Sequence, residues 1–221
     1  MEILYKDKNL VAVFKPAGIP SQSDPSGDAD AMNICIGLLK EQGEKNTELY
    51  LVHRLDRVVG GVIVFARNKS CAGRLSALIS EKSAEKEYLA VVEGDAEDSV
   101  LTDFLYKDSR LGKAFVTDRK RAGVKEATLE YRALSKYVTE STTKTLIRVK
   151  LHTGRFHQIR AQLSYHNHPI VGDGKYGSHD NQAKFPALFA FRLAFVLDGK
   201  KYEFQKMPNI ENYPWRFFKY D

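Results

Sequence analysis

Residues 143–165 read Thr-Lys-Thr-Leu-Ile-Arg-Val-Lys-Leu-His-Thr-Gly-Arg-Phe-His-Gln-Ile-Arg-Ala-Gln-Leu-Ser-Tyr, and two hydrophobic periods meet inside them. From Thr143 to Leu151 the pattern alternates, with Ile147, Val149 and Leu151 on one face, as in a strand. Beyond Gly154 the period lengthens: Phe156, Ile159 and Leu163 fall at i, i+3 and i+7. This predicts a helix over Arg155–Tyr165 with that stripe inward and Thr153 or Gly154 at its start. A strand running through a Thr-Gly turn into a helix sets the class as α+β.

Working outward, Ala127–Leu134 alternates like a strand paired with 143–151. Leu10–Phe14, Val62–Phe65 and Tyr88–Val92 are further strand-like runs, the first ending in the Lys15-Pro16-Ala17-Gly18 turn. Asp30 is the expected N-cap of a helix carrying Ile34, Cys35, Leu38 and Leu39. Ser70 is the expected cap of a second helix, with Leu75, Leu78 and Ile79 aligned. Phe189–Leu197 and Lys201–Gln205 read as a hairpin joined at Asp198-Gly199. Lys107–Lys125 is charged and irregular. Its Asp118-Arg119-Lys120-Arg121 cluster reads as a solvated loop or hairpin, with an RNA-facing role as the alternative. No linker interrupts the chain, which is expected to be one domain over residues 1–221.

Composition constrains function only loosely. With 43% hydrophobic and 28% charged residues, the 221-residue chain matches ordinary globular proteins. Its longest apolar runs, such as Val62–Ala66, fall far short of the roughly 20 residues that cross a bilayer. Met1–Asp7 lacks the basic and apolar regions of a signal peptide, so a cytoplasmic location without membrane contact is expected. Cys35 and Cys71 have no CxxC spacing and read as buried packing residues. The net charge of +6 suits a partner that carries phosphates.

Three segments carry candidate chemistry. In His53-Arg54-Leu55-Asp56-Arg57 an acid lies between two arginines, whose charge favours its ionised form, and Gly60-Gly61 follow where the backbone turns or approaches closely. In Glu85–Gly94 strand alternation places Lys86, Tyr88 and Ala90 on one face. In Leu151–Gln162 the helix lets His157 and Arg160 share a face. The histidines match no zinc spacing, so no metal is expected.

The order of Lys15-Pro16-Ala17-Gly18, His53-Arg54-Leu55-Asp56-Arg57, Lys86-x-Tyr88, Thr153-Gly154-Arg155-x-His157-Gln158-Ile159-Arg160 and Pro169-Ile170-x-Gly172-Asp173-x-x-Tyr176-Gly177 resembles the RluA-type pseudouridine synthases, from about Leu4 to Leu197. The resemblance implies a mixed, largely antiparallel sheet with helices packed on it and a central active-site cleft. It implies an RNA pseudouridine synthase without cofactor, acting as a monomer on transfer or ribosomal RNA. By the same resemblance Asp56 is the essential aspartate, Arg54 assists extrusion of the base, Tyr88 is the active-site tyrosine, and Arg160 is the arginine that pairs with the aspartate. His53, Arg57, Lys86, Arg155, His157, Gln158 and Ile159 are the further expected substrate contacts. One position departs: the family motif usually continues Arg-x-Thr/Val-Ser-Gly, and Gly60 stands here in place of that serine.

Pseudouridylation breaks the N1–C1′ bond of uridine, turns the uracil and joins its C5 to the same C1′. The demand resembles glycoside cleavage, in which a carboxylate meets oxocarbenium character at the anomeric carbon. Direct attack by Asp56 at C1′, and stabilisation of C1′ while another base removes the C2′ proton, both satisfy it. A hydrolase using Asp56 as nucleophile lacks a second carboxylate motif. A non-catalytic RNA-binding protein would not need Asp56, Tyr88 and Arg160 together.

Overall fold

The computed structural model describes residues 1–119 and 121–220; Lys120 of the basic cluster lies outside the described residues. The chain divides into two compact units, one of Met1–Lys86 with Phe189–Pro208, the other of Glu87–Leu188 with Asn209–Asp221. The strand pairing is largely antiparallel and includes a parallel pairing, so the fold is α+β as expected.

In the first unit β1 (Glu2–Lys6) pairs with β2 (Leu10–Lys15), and β2 pairs with β4 (Gly60–Ala66), both antiparallel. The two-residue β3 (Tyr50–Leu51) also lies on β4. Helix α1 (Ala31–Glu41) starts where expected: the Asp30 carboxylate accepts from Asn33 N, and Ala31, Cys35 and Leu39 face inward. Helix α2 (Lys69–Ser80) is capped by Asn68, whose side chain accepts from Cys71 N, rather than by Ser70. Asn68 has the extended backbone a cap needs; Ser70 already lies in the helix and its hydroxyl accepts from Arg74. Both cysteines are buried and free. The apolar faces of β2, β4 and α2 close over Leu193, Phe195, Tyr202 and Phe204. Those four come from the hairpin of β10 (Leu188–Leu197) and β11 (Lys200–Gln205), whose Asp198-Gly199 turn has positive φ at both residues.

Strand β10 meets β4 in parallel at Phe189↔Gly60 and Ala190↔Gly61. Gly61 has φ +132°, and a Cβ there would stand 2.3 Å from the Ala190 carbonyl oxygen, so only glycine permits this approach.

The second unit is an antiparallel run. Strand β5 (Glu85–Glu93), beyond its first two residues, pairs with β9 (Thr143–Leu151), β9 with β8 (Val124–Val138), β8 with β6 (Ser99–Asp108), and β6 with β7 (Lys113–Val116). The strand read at 127–134 is longer than expected, and Leu134 is bulged out of register with β9. Strands β6 and β7 were not legible in the sequence. On the inward side of β6, Asp103 interrupts the apolar alternation, and its carboxylate is satisfied there by Gln162 Nε2 at 2.7 Å.

Helix α3 runs over Gln158–Tyr165, three residues shorter at its start than the periodicity predicts. His157 holds φ +51° at the N-cap, so the stretch from Thr153 is a turn. Phe156 therefore does not join the inward stripe and is 36% exposed, whereas Ile159 and Leu163 are buried. Ala161 of α3 packs on Leu105, Ala114, Ala127 and Tyr176. Among the described residues no helix is long and apolar enough to cross a membrane.

Candidate functional site

The expected site residues fall into two separately built settings, one in each unit. In the first, Asp56 lies between β3 and β4 on a turn whose backbone is pinned at consecutive residues. The buried Ser21 hydroxyl accepts from Leu55 N at 3.0 Å and donates to Leu55 O at 2.9 Å. Val59 N donates to Asp56 O at 3.0 Å, and Gly18 N to Arg57 O at 2.8 Å. Beneath the turn sits Lys15, fully buried, with Nζ donating to Ile19 O at 2.7 Å, Pro16 O at 3.1 Å and Arg57 O at 3.4 Å. Burial pulls the Lys15 ammonium down to about 8, against the attraction of the Asp56 carboxylate.

This revises the reading of the flanking arginines. Arg57 turns to the surface loop before α1: Nε donates to Gly18 O, Nη1 to the Ser26 hydroxyl, and Nη2 pairs with Asp28. It is not placed as a substrate contact, because two carboxylates of that loop, Asp24 and Asp28, attract it. Arg54 is exposed. His53 also has a structural duty, since its Nε2 accepts from Val64 N at 3.0 Å. Desolvation, helped by Lys86, pushes this imidazole down to about 3, so it is a neutral acceptor. Lys86 is itself lowered by burial. At the departing position, a Cβ on residue 60 would lie 3.3 Å from Ala17 N and 3.4 Å from Lys15 O. Gly60 thus lets the Lys15–Gly18 turn sit close to β4, where a serine would press it outward by a few tenths of an ångström.

In the second unit Tyr88 lies on β5 opposite Val149, half-buried. Arg160, in the first turn of α3, is buried and held by Asp173, with Nε to Oδ2 at 2.6 Å and Nη2 to Oδ1 at 2.8 Å. This bidentate pairing fixes the guanidinium plane. Arg160 Nη1 lies 3.3 Å from His157 Nε2, and His157 Nδ1 lies 2.9 Å from the Tyr176 hydroxyl. A guanidinium only donates, so Nε2 is the acceptor and the proton of the neutral ring sits on Nδ1, directed at Tyr176. Desolvation, with Arg160, Lys175 and Lys107 nearby, lowers His157 to about 3.

Two expected substrate contacts are instead interior. Gln158 is 3% exposed; its Oε1 accepts from the Thr153 hydroxyl and Arg155 N, and its Nε2 donates to Thr128 O. These bonds close the turn at the start of α3, so the amide is a local cap. Ile159 is 4% exposed and packs in the interior. Arg155 and His157 do reach the surface region, with Arg155 Nε donating to Glu126 O. Ser21, Lys15 and Asp173 were not singled out as site residues. A Ser in a polar loop and a Lys before Pro-x-Gly carry no local signal of burial.

Comparison with known proteins identifies the family. Residues 9–165 match the family described as RNA pseudouridylate synthase. The ribosomal large subunit pseudouridine synthase D of Borreliella burgdorferi is 32% identical over 222 residues, covering 97% of this chain and 66% of that protein. The tRNA pseudouridine synthase C of Pasteurella multocida is 33% identical over 193 residues, covering 83% of this chain and 77% of that one. The chain thus spans about two thirds to three quarters of the length of these relatives. Among solved structures, human RNA pseudouridylate synthase domain containing 4 has the same fold, with TM-score 0.78 and 24% identity over 95% of this chain and 89% of that one.

Proposed function

Because the chain belongs to the RNA pseudouridylate synthase family, we propose that it converts a uridine of a structured transfer or ribosomal RNA to pseudouridine, with Asp56 as its catalytic carboxylate. The observation that carries the assignment of Asp56 is the turn that holds it: the carbonyls of 55, 56 and 57 and the amide of 55 are bonded, and a buried ammonium lies beneath. Such pinning suits a group that must meet one carbon of a bound nucleoside, because misplacement of a reacting group by an ångström costs rate steeply.

In this reading the N1–C1′ bond breaks, the uracil turns within the site, C5 bonds to C1′, and the C5 proton is exchanged for one on N1. Asp56 serves C1′ either by attack or by supporting charge during C2′ deprotonation. Tyr88 handles a proton, and Arg160 completes the catalytic set that the family motif assigns. Arg54, exposed two residues before Asp56, fills the gap left when the base leaves its stack, a step that costs a few kcal/mol in a duplex. The enzyme works as a cytoplasmic monomer and without a cofactor.

The test is product formation on purified transfer and ribosomal RNA. Asp56→Ala is expected to lower turnover by at least about 10³-fold, the scale set by loss of a covalent or charge-stabilising group. RNA binding should stay within about threefold, since phosphate contacts supply affinity. Turnover of Asp56→Ala near that of the wild type would overturn the assignment.

A further inference from the structure

Residues 106–125 contain seven Lys and Arg against two Asp and Glu, an excess of five where the whole chain carries +6. All the remaining residues together are close to neutral. Its described residues include the end of β6, the tight β6–β7 turn, β7 and the start of β8. Folding then brings more charge to it. Lys175, more than fifty residues away in sequence, places its Nζ 3.5 Å from where a Cβ on Gly112 would be, over the β6–β7 turn. Lys107 and Lys175 both act on the His157 ring.

Aromatic rings lie among these cations. Phe156, 36% exposed, stacks on His157 with centroids 3.8 Å apart and planes 18° from parallel. Lys107 Nζ sits 4.6 Å from the Phe156 centroid, and Lys113 Nζ 4.9 Å from that of Tyr176. The αL backbone of His157 is what turns Phe156 out of the helix stripe to this position. An apolar ring on the surface, stacked on a neutral imidazole, with Lys107 over its face and Lys175 acting on that imidazole, matches a polyanion that also offers flat faces. Nucleic acid has both. An acidic protein segment would satisfy the cations and leave the stacked rings without a counterpart.

We infer that the β6–β7 hairpin, the turn before α3 and Lys175 form an RNA-docking face of the second unit, with Lys107, Lys113 and Lys175 on phosphates and Phe156 stacking on an unpaired base. The RNA is taken to be the substrate, and in that the inference rests on the proposed function. Lys107 is the placeholder on Phe156; a base that takes its position frees the ammonium for the adjoining phosphate. Arg155, anchored through Nε to Glu126 O, borders the same face.

The test is equilibrium binding of a purified transfer RNA transcript at a series of salt concentrations. The compared proteins are the wild type, the combined variant Lys107→Gln/Lys113→Gln/Lys175→Gln, and a control with equal charge loss at the exposed Lys40, Lys45 and Lys201. The combined variant should flatten the dependence of log Kd on log salt by about 2–3 and weaken binding about 10- to 100-fold at 0.1 M salt, each phosphate contact contributing a slope of about 0.7–0.9. The control should keep the wild-type slope. Phe156→Ala should weaken binding about 5- to 100-fold with the slope unchanged, and Phe156→Trp should restore it. An unaltered slope in the combined variant, or an equal flattening in the control, overturns the inference. Because binding is read without turnover, a wild type that makes no pseudouridine yet loses salt-dependent binding in the combined variant defeats the proposed function and leaves the docking face standing. A wild type that turns over while the combined variant binds normally does the reverse.

Discussion

The turn that carries Asp56 and the turn that leads to Arg160 immobilise a charged side chain by opposite means. Around Asp56 the backbone is held: Ser21 bonds the amide and carbonyl of Leu55, Val59 the carbonyl of Asp56, and Gly18 and Lys15 the carbonyl of Arg57. Around Arg160 the side chain itself is gripped, by both oxygens of Asp173, with the next contact to a histidine whose tautomer the guanidinium sets and whose Nδ1 meets Tyr176. The first device positions a carboxylate through its main chain. The second fixes a cation's plane and partly neutralises it. The sequence motifs look alike in this respect, since each sets an acid or a base among basic neighbours; which group is held by its backbone and which by its charge depends on residues outside both motifs.

That contrast can be broken most directly at Asp173. Asp173→Ala removes a bidentate carboxylate from a buried guanidinium and should cost about 3–5 kcal/mol, a melting temperature lower by roughly 10 °C. Asp173→Asn should cost less. A variant that melts within about 2 °C of the wild type would mean that Arg160 is held by other groups.

Lys15→Met tests the backbone-held turn. Three carbonyls lose the Lys15 ammonium, the Arg57 carbonyl keeping its bond from Gly18 N, and turnover should fall at least about tenfold, the loss of a hydrogen bond to a charged group being worth roughly 1.5–3 kcal/mol. The pH dependence sharpens the point. With the folded ammonium near 8 and the unfolded one near 10.5, the unfolded chain binds more protons between those values. The stability of the wild type relative to Lys15→Met should therefore rise as pH goes from 8 to 10.5, while its kcat/KM falls over the lower part of that range as the cation under Asp56 is lost. Urea titrations and initial rates at pH 7.5 and 9.5 give both signs; a parallel loss of stability and rate would contradict the placement of Lys15.

At the acid end both regions should weaken together. His53 and His157 are neutral in the folded chain down to about 3 and take up protons near 6.5 when unfolded. Stability contributed by the neutral rings is thus complete above about 6.5 and declines as pH falls towards 3. His157→Gln should make the melting temperature less sensitive between pH 7 and 5, and an unchanged slope would show that His157 is not held neutral. The smallest effect is expected at Arg57, whose ion pairs with Asp24 and Asp28 lie at the surface. Arg57→Ala should change stability by no more than about 1 kcal/mol and leave turnover within about threefold. A loss approaching that of Lys15→Met would return Arg57 to the electrostatic role first read from its position beside Asp56.

Local patterns were enough for α1 with its Asp30 cap, the Asp198-Gly199 hairpin, the strands around residues 10, 62, 88 and 147, and the α+β class. Each depends on neighbours within a few residues, which periodicity and turn chemistry report directly. Long motifs were enough for the family and for Asp56, Tyr88 and Arg160 as the residues to examine. Only the tertiary structure separated the roles within those motifs. Gln158 and His53 lie inside their motifs, yet Thr128 O and Val64 N claim them. Lys15 and Ser21 lie outside the aspartate motif, yet they hold its turn. The same applies to the start of α3, where the left-handed backbone of His157 overrides a periodicity that would have buried Phe156. Sequence spacing encodes which residues can share a face, whereas burial, hydrogen-bond partners and the protonation state they impose are set by segments that meet only when the chain folds.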